Sequence, residues 1–325
     1  MIIIQTPLRI SLFGGGTDFP AYYLEHGGCV LNTAIDKYIF VTIKSRFDDK
    51  LRIGYSQTEM VDSVDEIQHE LIREALRHTG ITHGVEITTM ADIPTKGSGL
   101  GSSSTVTVGA LHAMYAYKRE LILTERLAQE ACLIEREILQ KPCGVQDQYI
   151  AAYGGFRFME FTTDGQIIVR PVSLSQRALR CLNDNLLLFF TGITRQNGAI
   201  LKEQETNINK RLAVLAQMKQ IAYTACHELQ RENVDAVGEL LHESWQLKKQ
   251  LANQISNPLI DEMYEAALKA GATGGKVSGA GGGGFLLLYV PRGRQEKVRD
   301  ALKGRQELPI TLGQDGSKVI FDYQR

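Results

Sequence analysis

The amino-acid sequence predicts an α+β protein with two domains. Stretches rich in β-branched and aromatic residues occur near the start, near residue 185 and near the end, and segments with apolar residues at helical spacing lie between them. The chain has 325 residues, and 43% of them are hydrophobic, which is enough for a large core. A single domain usually has fewer residues than this, so two domains are expected. Strands, then helices, then further strands are typical of this class.

In the first half, the pattern predicts three strands and two helices. The segments IIIQ, GCVLNTAIDKYIFVTIKSR and GVEITTM have the residue bias of strands. From Thr105 onward, apolar residues recur every three or four positions, which predicts a helix. The segment TERLAQEACLIEREILQ, beginning at Thr124, predicts a second helix by the same spacing.

The second half is predicted to be mostly helical, with strands at both ends. NLLLFFT, beginning at Asn185, predicts its first strand, and long amphipathic helices are expected between about Gly198 and Ile255. GKVSGAGGGGFLLLYV and KVIFDY predict the closing strands. A polar stretch near residues 174–184 separates the halves, so we predict domains at 1–180 and 181–325.

Composition narrows the function classes. The 36 basic and 37 acidic residues nearly cancel without a run of like charge, so neither nucleic acid nor an anionic membrane is an expected partner. The five cysteines form no metal-ligand spacing and are expected to be free thiols in a reducing compartment. The apolar N-terminus lacks a basic region and a cleavage site, so a cytoplasmic location is expected. The oligomeric state stays open, a homodimer being one alternative.

The stretch PTKGSGLGSSS, residues 94–104, has the composition of a phosphate-binding loop. Its glycines free consecutive backbone N–H groups to face an anion, and the helix that follows adds the positive end of its dipole. It is not a Walker A loop, because no Lys-Ser/Thr follows the last glycine. A flexible loop or a serine-capped turn is the alternative. The predicted nucleotide-binding residues are Lys96, Gly97, Ser98, Gly99, Leu100, Gly101, Ser102, Ser103 and Ser104.

Together with three further stretches, this loop resembles the signature motifs of the GHMP kinases. These stretches are TPLRISLFGGGTDFPAYY near the start, EREILQKPCGVQDQY in the middle and KVSGAGGGGF near the end. The resemblance covers nearly the whole chain and implies a two-domain GHMP kinase fold, with an N-terminal domain like ribosomal protein S5 domain 2 and a ferredoxin-like C-terminal domain. It also implies ATP and Mg²⁺ as cofactors and an alcohol as phosphoryl acceptor.

Within this superfamily, the chain most resembles the bacterial D-glycero-D-manno-heptose 7-phosphate kinases. PLRISLFGGGTDFPAYY, GCVLNTAIDKYIFV and FFTGITRQNGAIL carry that similarity. It implies phosphorylation of the anomeric hydroxyl on a route to GDP-heptose and surface glycans. A fucokinase- or galactokinase-like enzyme is the alternative. A decarboxylase and a non-catalytic sugar sensor of the same superfamily are the other two.

The resemblance assigns catalytic and metal-binding roles to acidic residues. Asp147, in CGVQDQ, matches the aspartate that accepts the proton of the attacking sugar hydroxyl; an exposed helix-capping residue is its alternative role. Glu135 has the spacing of the magnesium-binding glutamate, with Glu137 as a competitor. A seryl oxygen would complete the protein ligands, either Ser103, which we favour, or Ser102.

Substrate contacts are expected from several loops. Arg9 could hold the catalytic base or neutralise phosphate, and Asp18 could accept sugar hydroxyls; a strand-end ion pair and an Asx-turn are their alternatives. Galactokinases carry an acid and a histidine before this aspartate, whereas this chain has Gly15, Gly16 and Thr17, which disfavours galactose. The predicted substrate-binding residues are Gly15, Gly16, Thr17, Asp18, Thr194, Arg195, Gly281 and Gly282.

Two basic residues have alternatives of their own. Lys96 could neutralise nucleotide phosphates or be a solvated loop lysine. Arg195 follows a Thr-Gly turn and precedes a helix, where it could bind the phosphate of a phosphorylated sugar or pair with acids of the protein itself.

Overall fold

Two β-sheets and eleven α-helices form the part of the chain that the structure describes. The structure is a computed structural model, and it describes residues 1–94, 97–194 and 198–323. The strands are Ile2–Phe13 (β1), Gly28–Ser45 (β2), Leu51–Gly54 (β3), Thr58–Val61 (β4), Val85–Ala91 (β5), Phe156–Phe161 (β6), Ile167–Pro171 (β7), Leu186–Phe190 (β8), Gly274–Val277 (β9), Phe285–Tyr289 (β10) and Lys318–Asp322 (β11). The α-helices are Pro20–His26 (α1), Glu70–Thr79 (α2), Ser102–Lys118 (α3), Thr124–Cys132 (α4), Gln146–Tyr153 (α5), Gln176–Asn185 (α6), Gly198–Thr206 (α7), Leu212–Gln230 (α8), Ala236–Lys248 (α9), Pro258–Ala270 (α10) and Gln295–Ala301 (α11).

The larger sheet has eight strands and is organised around the long strand β2. Its order is β11-β1-β2-β5-β3-β4, with β6 paired to β2 and β7 paired to β6. The first part of β2, from Gly28 to Thr33, pairs with β6, and the part from Ile39 to Ser45 pairs with β5. Residues of β2 alternate between buried and partly exposed from position 39 onward, as expected where only one face of a sheet is covered.

Helix α3 lies in the core of the first half. Val106, Val108, Leu111 and Met114 are buried around its circumference, and it packs against β1 and β2 on one side and α2, α4 and α5 on the other. A helix with apolar residues on all sides is stable only when it is covered on all sides. This burial fixes the position of its N-terminus, where the glycine-rich loop ends.

The smaller sheet is antiparallel, in the order β8-β10-β9. All five residues of the central strand β10, FLLLY, are buried. Residues of α8, α9 and α10, including the fully buried Trp245, form a second apolar core with this sheet. An isolated bridge also joins Phe189 of β8 to Glu307.

The predicted α+β class is confirmed, and most predicted elements are present at their expected positions. The helix after the glycine-rich loop begins at Ser102 rather than Thr105, so the three serines form its first turn. The last strand, β11, returns to pair with β1 in the larger sheet, although it lies in the second half of the sequence. The division at residue 180 stays a prediction. All five cysteines are free. Across 1–94, 97–194 and 198–323, no helix is long and apolar enough to span a bilayer.

Candidate active site

A cavity of about 1160 Å³ lies where the two halves of the chain meet. Its wall includes residues of β1, the glycine-rich loop, the start of α3 and the segment 141–147 from the first half. The second half contributes Thr194, residues of α7, the end of α9 and residues 279–280. The volume slightly exceeds that of a typical site for one small ligand, so it can hold two ligands of moderate size.

The glycine-rich loop forms one wall of this cavity. Gly97, Gly99 and Gly101 all have positive φ values, of 70°, 73° and 81°, the conformation that glycine favours and that loops with anion-binding N–H groups commonly use. Glycine is required at position 99, where a Cβ atom would lie 2.4 Å from the carbonyl oxygen of Ser278. Because α3 begins directly after the loop, its unpaired N–H groups add to an anion-binding surface.

The serines of the first turn of α3 face a buried carboxylate. Ser103 Oγ and Ser104 Oγ donate hydrogen bonds to Glu135 Oε2, over 3.1 and 3.3 Å. Glu135 is almost completely buried, and its other oxygen, Oε1, has no partner among the described residues. Burial raises the pKa of this carboxyl group, while Lys141 and the hydroxyls oppose the rise.

Glu135 reaches this position from a π-helix, Leu133–Ile138, that continues α4. The wider turn of a π-helix changes the direction in which side chains leave the helix, and such turns are frequent at functional sites. Glu137 lies in the same π-helix but is exposed and does not line the cavity. Of the two glutamates proposed for magnesium, only Glu135 faces the loop.

Arg9 and Asp147 form a two-point ion pair inside the cavity. Arg9 Nε and Nη2 donate to the two carboxylate oxygens of Asp147 over 2.7 and 2.6 Å, and Arg9 Nη1 donates to the carbonyl oxygen of Gly99 over 2.7 Å. The arginine side chain is 6% exposed and that of Asp147 is 25% exposed. Arg9 thereby fixes the orientation of the carboxylate relative to the glycine-rich loop.

Asp18 lies beside this pair and is held by backbone and side-chain donors. Its Oδ1 accepts from the N–H of Gly16, and its Oδ2 accepts from Gln146 Nε2, both over 2.9 Å. Gly144 leaves room for it, since a Cβ atom there would lie within bonding distance of the carboxylate. Asp18 therefore brings the segment 14–18 into direct contact with the CGVQDQ segment.

Two buried lysines of the second half also lie close to these carboxylates. Lys248, the last residue of α9, lines the cavity and donates to the carbonyl oxygen of Gly279 over 2.8 Å. Burial lowers its pKa to about 8, with the attraction of Asp18 opposing the change. Lys276, on β9, donates to the carbonyl oxygens of Ser11 and Leu12, and burial lowers its pKa as well. Neither lysine was predicted from the sequence as a site residue.

Not all of the predicted ligand-binding residues line the cavity. The hydroxyl of Thr17 is fully buried; it shares its one proton between the carbonyl oxygens of Gly14 and Cys29 and accepts from the N–H of Cys29, so it supports the loop from behind. Leu100 is likewise buried, with its carbonyl oxygen accepting from the N–H of Arg9. Lys96 and Arg195 lie outside the described residues.

The second glycine run also differs from the expectation. Gly282 donates its N–H to the carbonyl oxygen of Ile255, and a Cβ atom on Gly281 would lie 2.7 Å from that same oxygen. Neither glycine lines the cavity, whereas Gly279 and Ala280 do. Gly281 and Gly282 therefore hold the turn in place rather than face a ligand.

The remaining wall of the cavity is largely apolar. It is formed by residues of β2, β5 and α2 and by the segment before the glycine-rich loop, including Ile39, Leu71, Met90 and Ile93. Tyr55 and His69 also line it, and their rings meet edge to face with the ring centroids 4.7 Å apart. Burial lowers the pKa of His69, which favours its neutral form. An apolar, partly aromatic surface of this kind suits a flat heterocycle.

Comparison with known proteins agrees with this geometry. The family model for the N-terminal domain of GHMP kinases matches residues 67–155, and the model for the C-terminal domain matches residues 225–307. The D-glycero-alpha-D-manno-heptose 7-phosphate kinase of Campylobacter jejuni is 32% identical over 319 residues, with 93% of each chain covered.

Solved structures extend the similarity to the whole fold. A D-glycero-D-manno-heptose 1-phosphate kinase from Bacteroides thetaiotaomicron superposes with a TM-score of 0.83 at 28% identity, over 100% of both chains. A putative sugar kinase from Campylobacter jejuni superposes with a TM-score of 0.79 at 30% identity, over 98% of this chain and 97% of that one. The chain belongs to the GHMP kinase family and is an ATP-dependent sugar kinase.

Proposed function

We propose that this kinase transfers the γ-phosphoryl group of ATP to the anomeric C1 hydroxyl of D-glycero-D-manno-heptose 7-phosphate, giving the 1,7-bisphosphate. The observation that carries the proposal is the Arg9–Asp147 pair, which lies in one cavity with the glycine-rich loop and Asp18. Such a cavity combines an anion-binding loop, a fixed carboxylate and a second carboxylate able to accept sugar hydroxyls. The product would serve GDP-heptose and surface-glycan synthesis.

The nucleotide is proposed to bind along the glycine-rich loop and the apolar wall. The N–H groups of residues 97–104 and the N-terminus of α3 would receive the phosphates, and the adenine would contact the surface around Leu71 and Ile93. The loop contributes donors that are already in place, so little conformational entropy is lost when the phosphates bind.

Asp147 is proposed to accept the proton of the attacking hydroxyl. Its carboxylate is held at both oxygens by Arg9, and it remains 25% exposed to the cavity, so a sugar hydroxyl can reach it. Arg9 would orient the base during this step, because its Nε, Nη1 and Nη2 groups already donate to Asp147 and to the carbonyl oxygen of Gly99. The phosphoryl group would then pass from ATP to the sugar oxygen. In such reactions most of the catalysis comes from positioning the attacking and leaving oxygens and from stabilising charge.

Magnesium is proposed to bind between Glu135 and Ser103. The residues fit this ion, because Glu135 presents a buried oxygen without a partner beside a seryl hydroxyl, and Mg²⁺ prefers oxygen ligands. Bound there, it would neutralise charge on the β- and γ-phosphates. In proteins, Mg²⁺ is usually held by one or two carboxylates together with phosphates and water.

A panel of sugars tests the substrate. Purified kinase is incubated with ATP, Mg²⁺ and free or phosphorylated aldoses, ADP release is measured, and ³¹P NMR identifies the carbon that gains phosphate. Heptose 7-phosphate should have a KM about ten- to a hundredfold lower than free heptose, because a charge-assisted contact to a phosphate contributes roughly 1.5–3 kcal/mol. Phosphate on a carbon other than C1, or equal KM values for the two heptoses, would contradict the proposal.

The sequence also names an anchor for the 7-phosphate. Arg195 directly follows Thr194 in the sequence, and Thr194 lines the cavity. The variant Arg195→Ala should raise the KM for the phosphorylated heptose and leave the KM for ATP and for free heptose unchanged. If the KM for heptose 7-phosphate does not change, Arg195 has a structural role and another cation holds the phosphate.

A further inference from the structure

A small polar space surrounds Gly15 in the wall of the cavity. A Cβ atom on Gly15 would lie 3.5 Å from Ser11 Oγ, 3.6 Å from Gln146 Nε2 and 3.7 Å from Lys248 Nζ. All three side chains are more than nine-tenths buried, and all of them line the cavity. The absent side chain of Gly15 leaves this space open to a ligand.

The hydrogen-bonding capacity of these side chains is only partly used. Among the described residues, Ser11 Oγ and Gln146 Oε1 have no hydrogen-bond partner. The Lys248 ammonium has three protons, and its one hydrogen bond within the described part of the chain goes to the carbonyl oxygen of Gly279. Buried polar groups without partners are costly, so the space favours a ligand that satisfies them.

The chemistry of the space matches hydroxyl groups. Lys248 offers a donor, Gln146 Oε1 an acceptor and Ser11 a hydroxyl that does both, and Asp18 beside them accepts. Each hydroxyl of a sugar both donates and accepts, so neighbouring ring hydroxyls can satisfy this set, whereas a phosphate is mostly dianionic near neutral pH and acts mainly as an acceptor. The carboxylate of Asp18, held by Gln146, would also repel a phosphate.

We infer that Ser11, Gln146 and Lys248 form a sugar-hydroxyl subsite that selects the ring of the substrate next to the reacting carbon. The inference rests on the sugar kinase function proposed above. The subsite would take the place of the acid and histidine side chains that galactokinases carry where this chain has Gly15 and Gly16. Its lysine, Lys248, belongs to the second half of the chain and would contact the sugar from there.

Three variants test the subsite by steady-state kinetics. Lys248→Met removes the charge and keeps an unbranched side chain that is one atom shorter. Ser11→Ala removes the hydroxyl, and Gly15→Ala fills the space with a methyl group at ordinary contact distances. Each should raise the KM for the sugar, by about ten- to a hundredfold for Lys248→Met, and leave the KM for ATP within about twofold. Lys249→Met, at a neighbouring lysine that does not line the cavity, is the control and should match the wild type.

The pattern of the losses distinguishes hydroxyl recognition from other roles. Lys248→Met should raise the KM for free heptose and for heptose 7-phosphate by the same factor. A monodeoxy sugar that lacks the contacted hydroxyl should have a higher KM than the full sugar with the wild type. With Lys248→Met, the deoxy and the full sugar should have nearly the same KM, because the variant has already lost that contact. An effect on the phosphorylated sugar alone, a fall in kcat at unchanged KM, or an unchanged sugar KM would each overturn the inference.

The test does not depend on heptose being the substrate. If the sugar panel identifies another aldose, the same variants are assayed with that aldose, so a wrong substrate proposal and a wrong subsite give different results. Thermal unfolding of each variant establishes that it is folded at the assay temperature. Gly15→Ala should fold, since residue 15 does not have a positive φ and its added Cβ meets no atom closer than 3.5 Å.

Discussion

Replacing Asp147 by Asn tests the proposed base most directly, because the change keeps the shape of the side chain. The amide can still accept one hydrogen bond from Arg9, but it cannot take the proton of the sugar hydroxyl. General bases usually contribute about 10²–10⁴-fold, so kcat should fall by that factor, equivalent to roughly 3–5 kcal/mol of activation free energy.

The same change affects stability by less. One of the two charge-assisted bonds to Arg9 is lost, and such bonds contribute about 1.5–3 kcal/mol when fully buried. Asp147 is 25% exposed and Arg9 keeps its bond to Gly99, so we expect a loss near the lower end of this range and a Tm lowered by a few degrees. At 25 °C the variant should remain folded, and the fall in kcat then reports the chemistry.

A coupled assay for ADP at saturating ATP and sugar, with thermal unfolding of the same samples, separates the two effects. The control is Asp48→Asn, which breaks a similar two-point pair with Arg46 on the surface outside the cavity. This control should leave kcat unchanged. An Asp147→Asn variant that keeps kcat within tenfold of the wild type, or loses activity only as far as it unfolds, would refute the role of base.

Two further predictions concern buried charges. Glu135→Gln should lower kcat strongly with little change in the sugar KM, and it should abolish the rise in Tm that Mg²⁺ gives in the presence of a non-hydrolysable ATP analogue. The control variant Glu137→Gln, at an exposed position, should behave as the wild type. The reverse result would assign the metal to Glu137. Lys248→Met should have a higher free energy of unfolding than the wild type at pH 7. This difference should close as the pH rises from about 8 to about 10.5, because in that range the unfolded wild type binds more protons than the folded one. Urea denaturation of both proteins at pH 7 and at about pH 10.5 measures the difference, and a constant difference would contradict a buried charge. The charged groups that influence this lysine are Asp18, Arg9, Asp147 and Lys276.

The parts of the site that depend on local sequence could be predicted. The glycine-rich loop was recognisable because alternating glycines before a helical pattern leave backbone N–H groups free, and all three glycines do have positive φ. The strands β2, β5, β8 and β10 were recognisable from their β-branched and aromatic residues. The choice between Glu135 and Glu137 needed the structure, because the π-helix changes the direction of their side chains and leaves no pattern in the sequence.

Residues brought into the site by tertiary packing could not be predicted. Lys248 ends an amphipathic helix, a position where lysine is common because it interacts favourably with the helix dipole, so nothing local indicates that it is buried. The short strand β9 likewise gives no local sign that Lys276 is buried. Thr17 was assigned to the substrate as part of the GGTD stretch that carries the family resemblance, although its hydroxyl is turned toward Gly14 and Cys29.

The two glycine-rich segments, about 180 residues apart in sequence, form one structural unit. A Cβ atom on Gly99 would lie 2.4 Å from the carbonyl oxygen of Ser278, and one on Gly279 would lie 2.7 Å from the Cα atom of Gly99. The two backbones can approach this closely only where neither has a side chain, so each segment constrains the composition of the other. Since Arg9 also binds the carbonyl oxygen of Gly99, the same contact connects the second half of the chain to the Asp147 carboxylate. The geometry of the proposed base and that of the glycine-rich loop therefore both depend on the turn that contains Gly279.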